Sequence, residues 1–428
     1  MTPEIKQRIE QIRRGEVPEG YKKTKVGIVP SEWEETKLSN YLTVNNEKNA
    51  NLKYGKEEVF SISGELGIVN QIQLLGRSYA GVSVAPYGVV YPNDIVYTKS
   101  PLKANPYGII KTNKTGTTGI VSTLYAVFHC KDNVCPDFVQ LYFESDHNLN
   151  NYLYPIVNIG AKHDMKISDE NSLRGYVVFP PLAEQEKIVE ILSAQDKLIE
   201  LQEKKISQLQ ILKNVCLKNM FPKRGKRAPL WIFPQFSNDW KMQKLNDVVE
   251  VYDGTHQTPI YEEKGIMFLS VENINTLKSN KYISEESFEK NFKIYPQKGD
   301  ILMTRIGDIG TPNVVETTDK LAFYVSLALL KPTHIDTYFL CNLLQSPFVK
   351  KGLKDRTLST ASPQKINKDE IGKVDVLIPN SIYEQEYIGN YFRNIDRIIN
   401  LNKDKLNAIK KQKEALMQLL LTGIVRTK

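Results

Sequence analysis

Two stretches of this chain, 200 residues apart, are copies of one another. Ala183–Phe221 and Tyr383–Leu421 align without a gap, and nine of their 39 positions are identical. Ordinary residue usage would give roughly two or three matches. The identities are Glu184, Gln185, Glu186, Ile188, Asp196, Ile199, Leu201, Lys205 and Lys213, each with its counterpart 200 residues on. A duplication of this length constrains the fold more than any local motif, because each copy must build the same unit.

Both stretches read as long helices. Neither contains proline, and Gly389 is the single glycine in them. Apolar residues recur at alternating steps of four and three, which is a coiled-coil seam. The first seam runs Ile188, Leu192, Gln195, Ile199, Gln202, Ile206, Leu209, Lys213, Cys216, Met220. The second runs Ile388, Phe392, Ile395, Ile399, Asn402, Leu406, Ile409, Lys413, Leu416, Leu420. Two polar positions fall in register between the seams, Gln202 with Asn402 and Lys213 with Lys413. A polar seam residue costs stability and fixes alignment; the competing reading is a side chain snorkelling at the edge of a wider bundle. Antiparallel packing with full overlap would set Gln202 against Asn402 at the centre of the pair. At 1.5 Å per residue each helix would extend roughly 58 Å.

A segment of another kind precedes each helix. Pro30-x-x-Trp33-x-x-x-Lys37-Leu38 opens the first and Trp240-x-x-x-Lys244-Leu245 the second. Short β-branched and aromatic runs then alternate with Gly, Pro and Asn turns, the signature of irregular sheet-rich structure. Tyr91–Lys99 is answered by Tyr295–Arg305, Lys166-Ile167 by Lys365-Ile366, and Val177–Pro180 by Val376–Pro379. Asp94 and Asp300, each just before a strand-like run, suit turn chemistry better than catalysis. These patterns predict an α+β chain with two globular α/β domains. Two long coiled-coil helices separate them, in a pseudo-twofold internal repeat. The expected boundaries are an N-terminal helical segment at 1–20, domains at 21–180 and 223–379, and helices at 181–222 and 380–428.

The formal net charge of +8 is unevenly spread. Asp196–Arg227 and Arg393–Lys428 each hold nine Lys/Arg against three Asp/Glu, leaving the rest of the chain acidic. Basic segments suit a polyanionic partner, although many basic proteins bind no nucleic acid. The apolar runs Ala322–Leu330 and Met417–Val425 are too short to span a membrane. The charged N-terminus MTPEIKQRIEQIRRGE lacks the apolar core of a secretory signal. Four cysteines form no disulfide-like framework, so a cytoplasmic, reducing setting is expected.

Pro180-Pro-Leu-Ala-Glu184-Gln185-Glu-Lys-Ile188, closing a variable domain and opening a long helix, resembles the first conserved region of type I restriction–modification specificity subunits. Ile378-Pro379 followed by Glu384-Gln385 and Ile388 repeats it more loosely. The Pro-x-x-Trp entry, Gly299-Asp300-Ile301-Leu302, Asp253-Gly-Thr-His256-x-Thr-Pro259 and Ser362-Pro-Gln364-Lys365-Ile366 are similar to that family too. The first half departs from it, lacking a clear Asp-Gly-x-His segment and reading Ala161-Lys162-His163-Asp164 where the second half has Thr360-Ala-Ser-Pro363. The resemblance implies two target recognition domains, each reading one half of a split double-stranded DNA site, with the two long helices forming an antiparallel spacer between them. It implies partners as well: two methyltransferase subunits using S-adenosylmethionine, and two motor-nuclease subunits using ATP and Mg²⁺. Neither cofactor is expected on this chain.

The sequence offers little chemistry of its own. Gly225-Lys226 has no partner glycine and is followed by Arg, so there is no phosphate-cradling loop of the Gly-x4-Gly-Lys-[Ser/Thr] kind. Cys130, Cys135 and His129 make a poor metal set. Catalytic and metal-ligating residues are therefore expected to be none. Loops rich in Lys, Arg, Gln, Asn and His supply the candidate DNA contacts, since such side chains match phosphates and base edges. In the first domain these are Lys99, Lys103, Lys111, Lys162 and His163. In the second they are His256, Arg305, Arg356, Ser362, Gln364 and Lys365. A stand-alone DNA-modifying enzyme and a coiled-coil adaptor without a DNA role are the rival readings.

Overall fold

The computed structural model describes residues 2–427 apart from 103–104, 160–164, 237–239 and 359–360. The strand-like runs Ile95–Thr98 and Ile301–Thr304 are strands buried on both faces. Successive side chains of a strand point to opposite sides, and here both sides are apolar. Ile301 and Met303 enter one core while Leu302 enters another. Ile95 and Tyr97 divide from Val96 in the same way.

Each buried strand sits third in a four-stranded antiparallel sheet. The first sheet runs Leu42–Val44, Tyr125–Cys130, Ile95–Thr98, Ile110–Thr112. The second runs Val249–Asp253, Leu327–Pro332, Ile301–Thr304, Pro312–Val314. The order is the same, so the duplication extends through the globular halves as well as the helices. Asp94 and Asp300 both close turns: their Oδ2 atoms accept the backbone N–H of Tyr91 and Gln297, each at 2.8 Å.

The long helices span Leu182–Asn219 and Ile382–Leu421. Every one of the twenty seam positions is buried or half-buried. Contacts group the chain as Met1–Glu200 with Asn407–Lys428, and as Leu201–Leu406. The limits of these units fall inside the two long helices, so each unit takes one end of each helix. The helix ends are core material. Ile188, Leu192, Leu420 and Leu421 lie in the main core of the first unit, and Met220, Phe221, Ile388 and Phe392 in that of the second.

The repeated Trp, Pro and Glu-Gln residues form one joint, built twice. In the first unit Trp33 Nε1 donates to Glu184 Oε2 at 3.1 Å. Gln185 Nε2 donates to the Pro180 carbonyl at 2.9 Å, and its Oε1 accepts the Cys135 N–H at 2.9 Å. In the second unit Trp240 Nε1 donates to Glu384 Oε1 at 3.0 Å, and Gln385 bridges the Pro379 carbonyl and the Asp336 N–H at 3.1 and 3.0 Å. Each glutamine thus ties the last strand of a domain to the N-terminus of a packed helix, Pro136–Glu144 or Thr337–Gln345. Gly389 belongs to this joint: a Cβ there would lie 2.3 Å from Asp336 Oδ1 and 2.7 Å from the Phe339 nitrogen.

The N-terminal segment, helical over Pro3–Arg13, packs by the end of the chain. Arg8 donates to the Ile424 carbonyl at 2.5 Å and Tyr21 to that of Gly423 at 2.8 Å. Arg426 reaches Glu184 at 2.7 and 2.8 Å and Glu32 at 2.7 Å. Among the described residues, no helix is long and apolar enough to cross a membrane.

Candidate nucleic-acid interface

In the second unit three loops meet at one end of the four-stranded sheet. Asp253 pairs with Ala328 and Thr304 with Leu327. The chain therefore leaves the sheet after Asp253 and after Thr304 at the end where Leu327 enters. Arg305 is 5% exposed and joins all three loops. Its guanidinium donates to Asp253 Oδ1 and, through Nε, to the Ile366 carbonyl at 3.1 Å. Its own carbonyl accepts the Ile366 N–H at 3.0 Å, and Gly307 N–H donates to the Gln364 carbonyl at 2.8 Å. Burial draws the Arg305 pKa down from its usual value, and the Asp253 carboxylate beside it holds the cation. Gly254 is required where the first loop turns, since a Cβ there would lie 2.5 Å from the Phe323 carbonyl oxygen.

His256, Ser362, Gln364 and Lys365 are all exposed on this loop cluster. Gln257 and Thr258 are exposed beside them, as is Ile260 at 85%. None of these three was among the expected contacts, although the polar loop after Asp253-Gly254 could have suggested Gln257 and Thr258. Arg305, also among the expected contacts, has its guanidinium turned inward as the clamp of the loops. Arg356 is half-buried, with Nε 4.0 Å from Glu370 Oε2.

Lys99 occupies the corresponding station in the first unit. Its backbone N–H donates to Leu124 O at 3.1 Å, as that of Arg305 does to Ser326 O at 3.0 Å. Its ammonium pairs with Asp169, a carboxylate from a different segment from the one that serves Arg305. Lys111 is buried, 3.6 Å from Glu144. Lys99 and Lys111 are thus engaged inside their own unit, because a buried ammonium needs a carboxylate neighbour. Lys103, Lys162 and His163 lie outside the described residues. Among the described residues, no group of three or more His, Cys, Asp or Glu side chains is placed to hold a metal ion.

The polar seam residues pair across the helices. Gln202 Nε2 donates to Asn402 Oδ1 at 2.8 Å and to the Asn402 carbonyl at 3.1 Å. Lys213 Nζ lies 2.7 and 2.9 Å from the Asp396 carboxylate in the second unit. In the first unit Lys413 Nζ lies 2.6 Å from Asp196. Asp196, Asp396, Lys213 and Lys413 are repeat identities, so the duplicated sequence encodes a duplicated ion pair. The helix segments within each unit run antiparallel.

Comparison with known proteins finds similarity to one family. Residues 237–411 match the model of the type I restriction modification DNA specificity domain. The chain is similar in sequence to type I restriction enzyme specificity subunits. The MjaVIII specificity subunit of Methanocaldococcus jannaschii is 27% identical over 270 residues, covering 59% of this chain and 62% of that protein. The MjaIX specificity subunit of the same organism is 22% identical over 435 residues, covering 95% and 96%. Two solved chains share the fold. One, from a study of complex assembly and conformational transition of the type I R-M system, has a TM-score of 0.57 at 14% identity over 93% of this chain and 99% of its own. The other, the S subunit from M. genitalium, has a TM-score of 0.55 at 14% identity over 91% and 96%.

Proposed function

We propose that this chain is the DNA-reading specificity subunit of a type I restriction–modification complex. The observation that carries the reading is the pair of units with one strand order, each joined to the helix pair through the same Trp/Glu-Gln motif. Two readers on one scaffold suit a split DNA site. Tethering makes the second binding event intramolecular, so affinity rises when the tether matches the span. The exposed His256, Gln364 and Lys365 offer donors and an acceptor to base edges and phosphates. Adenine methylation belongs to two methyltransferase partners with S-adenosylmethionine, and cleavage to two motor-nuclease partners with ATP and Mg²⁺. This chain carries neither cofactor and no catalytic centre, and it works in the cytoplasm.

Methylome sequencing of cells expressing this chain with its methyltransferase partner tests the proposal. A bipartite methylated site that vanishes when this chain is deleted supports it. Exchanging residues 21–179 for another recognition domain should alter one half of that site only. Methylation or cleavage by the purified chain alone would favour a stand-alone enzyme, and no salt-sensitive DNA binding would favour an adaptor.

A further inference from the structure

In the second unit, two cavities of about 320 and 330 Å³ share Lys223 and Pro347 in their walls. Together they make one groove. It starts beside Lys218 at the end of the first long helix, passes Lys223 and Arg224, and follows the helix Pro347–Asp355 to Arg356. Two residues past Arg356, Leu358 bridges to Lys365, which bridges in turn to Ile306. The groove therefore runs into the loop cluster held by Arg305.

Its charge is one-sided. Five cations line it: Lys218, Lys223, Arg224, Lys351 and Arg356. The two carboxylates, Asp355 and Asp375, are already engaged, by Lys351 at 3.1 Å and by Lys244 at 2.5 Å. Lys218, Lys223 and Arg224 are exposed, and among the described residues none has an ion pair. Exposed like charges converging on a groove repel one another, and a polyanion laid along it relieves that repulsion. The nine-residue helix measures about 14 Å, and one strand of duplex DNA places a phosphate every ~3.4 Å of axis. Measured along the duplex axis, that length corresponds to about four phosphates of one strand.

We propose that this groove holds the phosphate backbone of duplex DNA flanking the half-site read by the second unit. The inference rests on the DNA-reading function proposed above. Phosphate contacts position a protein on the duplex without selecting sequence. The loops would then discriminate while the groove supplies affinity and sets the direction in which the duplex leaves.

The test compares the full-length chain with the triple variant Lys218→Gln, Lys223→Gln, Arg224→Gln. A control variant, Lys204→Gln, Lys205→Gln, Lys403→Gln, carries the same charge change on the exposed faces of the long helices. Binding to a duplex that extends several base pairs beyond the target is followed by fluorescence anisotropy across a salt series. Each lost phosphate contact lowers the slope of log K against log salt by roughly 0.9, so the groove variant should lose about two to three. Its preference for target over scrambled duplex should stay unchanged, and the control should keep the wild-type slope. On a duplex trimmed to the target the groove variant and wild type should converge. Equal slopes for wild type and groove variant, or equal losses in groove and control variants, would overturn the groove. Failure of the wild-type chain to bind any duplex would instead sink the DNA-reading function.

Discussion

Replacing Gln202 by Leu should cost more than replacing its partner, and the difference follows from who donates to whom. Asn402 Nδ2 is satisfied by the Ile398 carbonyl at 2.8 Å, whereas Asn402 Oδ1 accepts from Gln202. Gln202→Leu therefore strands an acceptor at a position only 9% exposed, for about 1–3 kcal/mol. Asn402→Leu leaves the residue-402 carbonyl in place, which Gln202 Nε2 already contacts at 3.1 Å. Its cost should stay below about 1 kcal/mol, within the net worth of one hydrogen bond. The double leucine variant removes donor and acceptor together and adds apolar area at the seam. It should be as stable as wild type or more so, giving a coupling energy of about 1–3 kcal/mol in a double-mutant cycle. Equilibrium urea unfolding of the four proteins measures this. The double variant should also tolerate a wider range of gaps between half-sites, as polar seam residues fix register. Additive single costs, or equal costs for the two single variants, would refute the assignment of the amide pair.

The joints and the clamp carry four further predictions. Burial raises the Glu384 pKa above its usual value, partly opposed by the Trp240 indole. A raised carboxyl pKa means that stability present at acid pH is lost as pH rises through the folded-state value. Glu384→Gln should therefore gain on wild type as pH rises above the usual carboxylate range, seen as a growing Tm difference, while Glu184→Gln, which breaks the contact with Arg426, should lose about 1–3 kcal/mol at neutral pH. Gly389→Ala should destabilise by about 1–3 kcal/mol through overpacking against Asp336 and Phe339, although alanine gains ~1 kcal/mol in intrinsic helix propensity; thermal unfolding decides the sign. Arg305→Lys cannot serve Asp253 and the Ile366 carbonyl together in the geometry of a guanidinium, so discrimination at the second half-site should fall while the first stays intact, read by binding to duplexes altered in one half.

The repeat made the helices and their seam legible because a heptad pattern is a local property of the sequence, and its polar exceptions stand out against an apolar background. The joint was legible as residues but not as a structure. Trp33 and Glu184 are 151 positions apart, and nothing in their spacing says that an indole donates to that carboxylate. The burial of each helix's two ends was not legible for a related reason. A helix reads as one continuous element, yet its two ends are buried in different cores, and burial is a tertiary property. The surroundings of the candidate contact residues were the least legible. Lys99, Lys111 and Arg305 share a charge with exposed Lys365, and only the carboxylates Asp169, Glu144 and Asp253 brought beside them by folding decide that theirs faces inward. Not every repeat identity is explained by packing. Glu186, Leu201 and Lys205 and their counterparts are exposed, Leu201 at 54% and Leu401 at 58%. The duplicated sequence therefore encodes more than the internal joint and seam, and the interior of the chain supplies no reason for those three pairs.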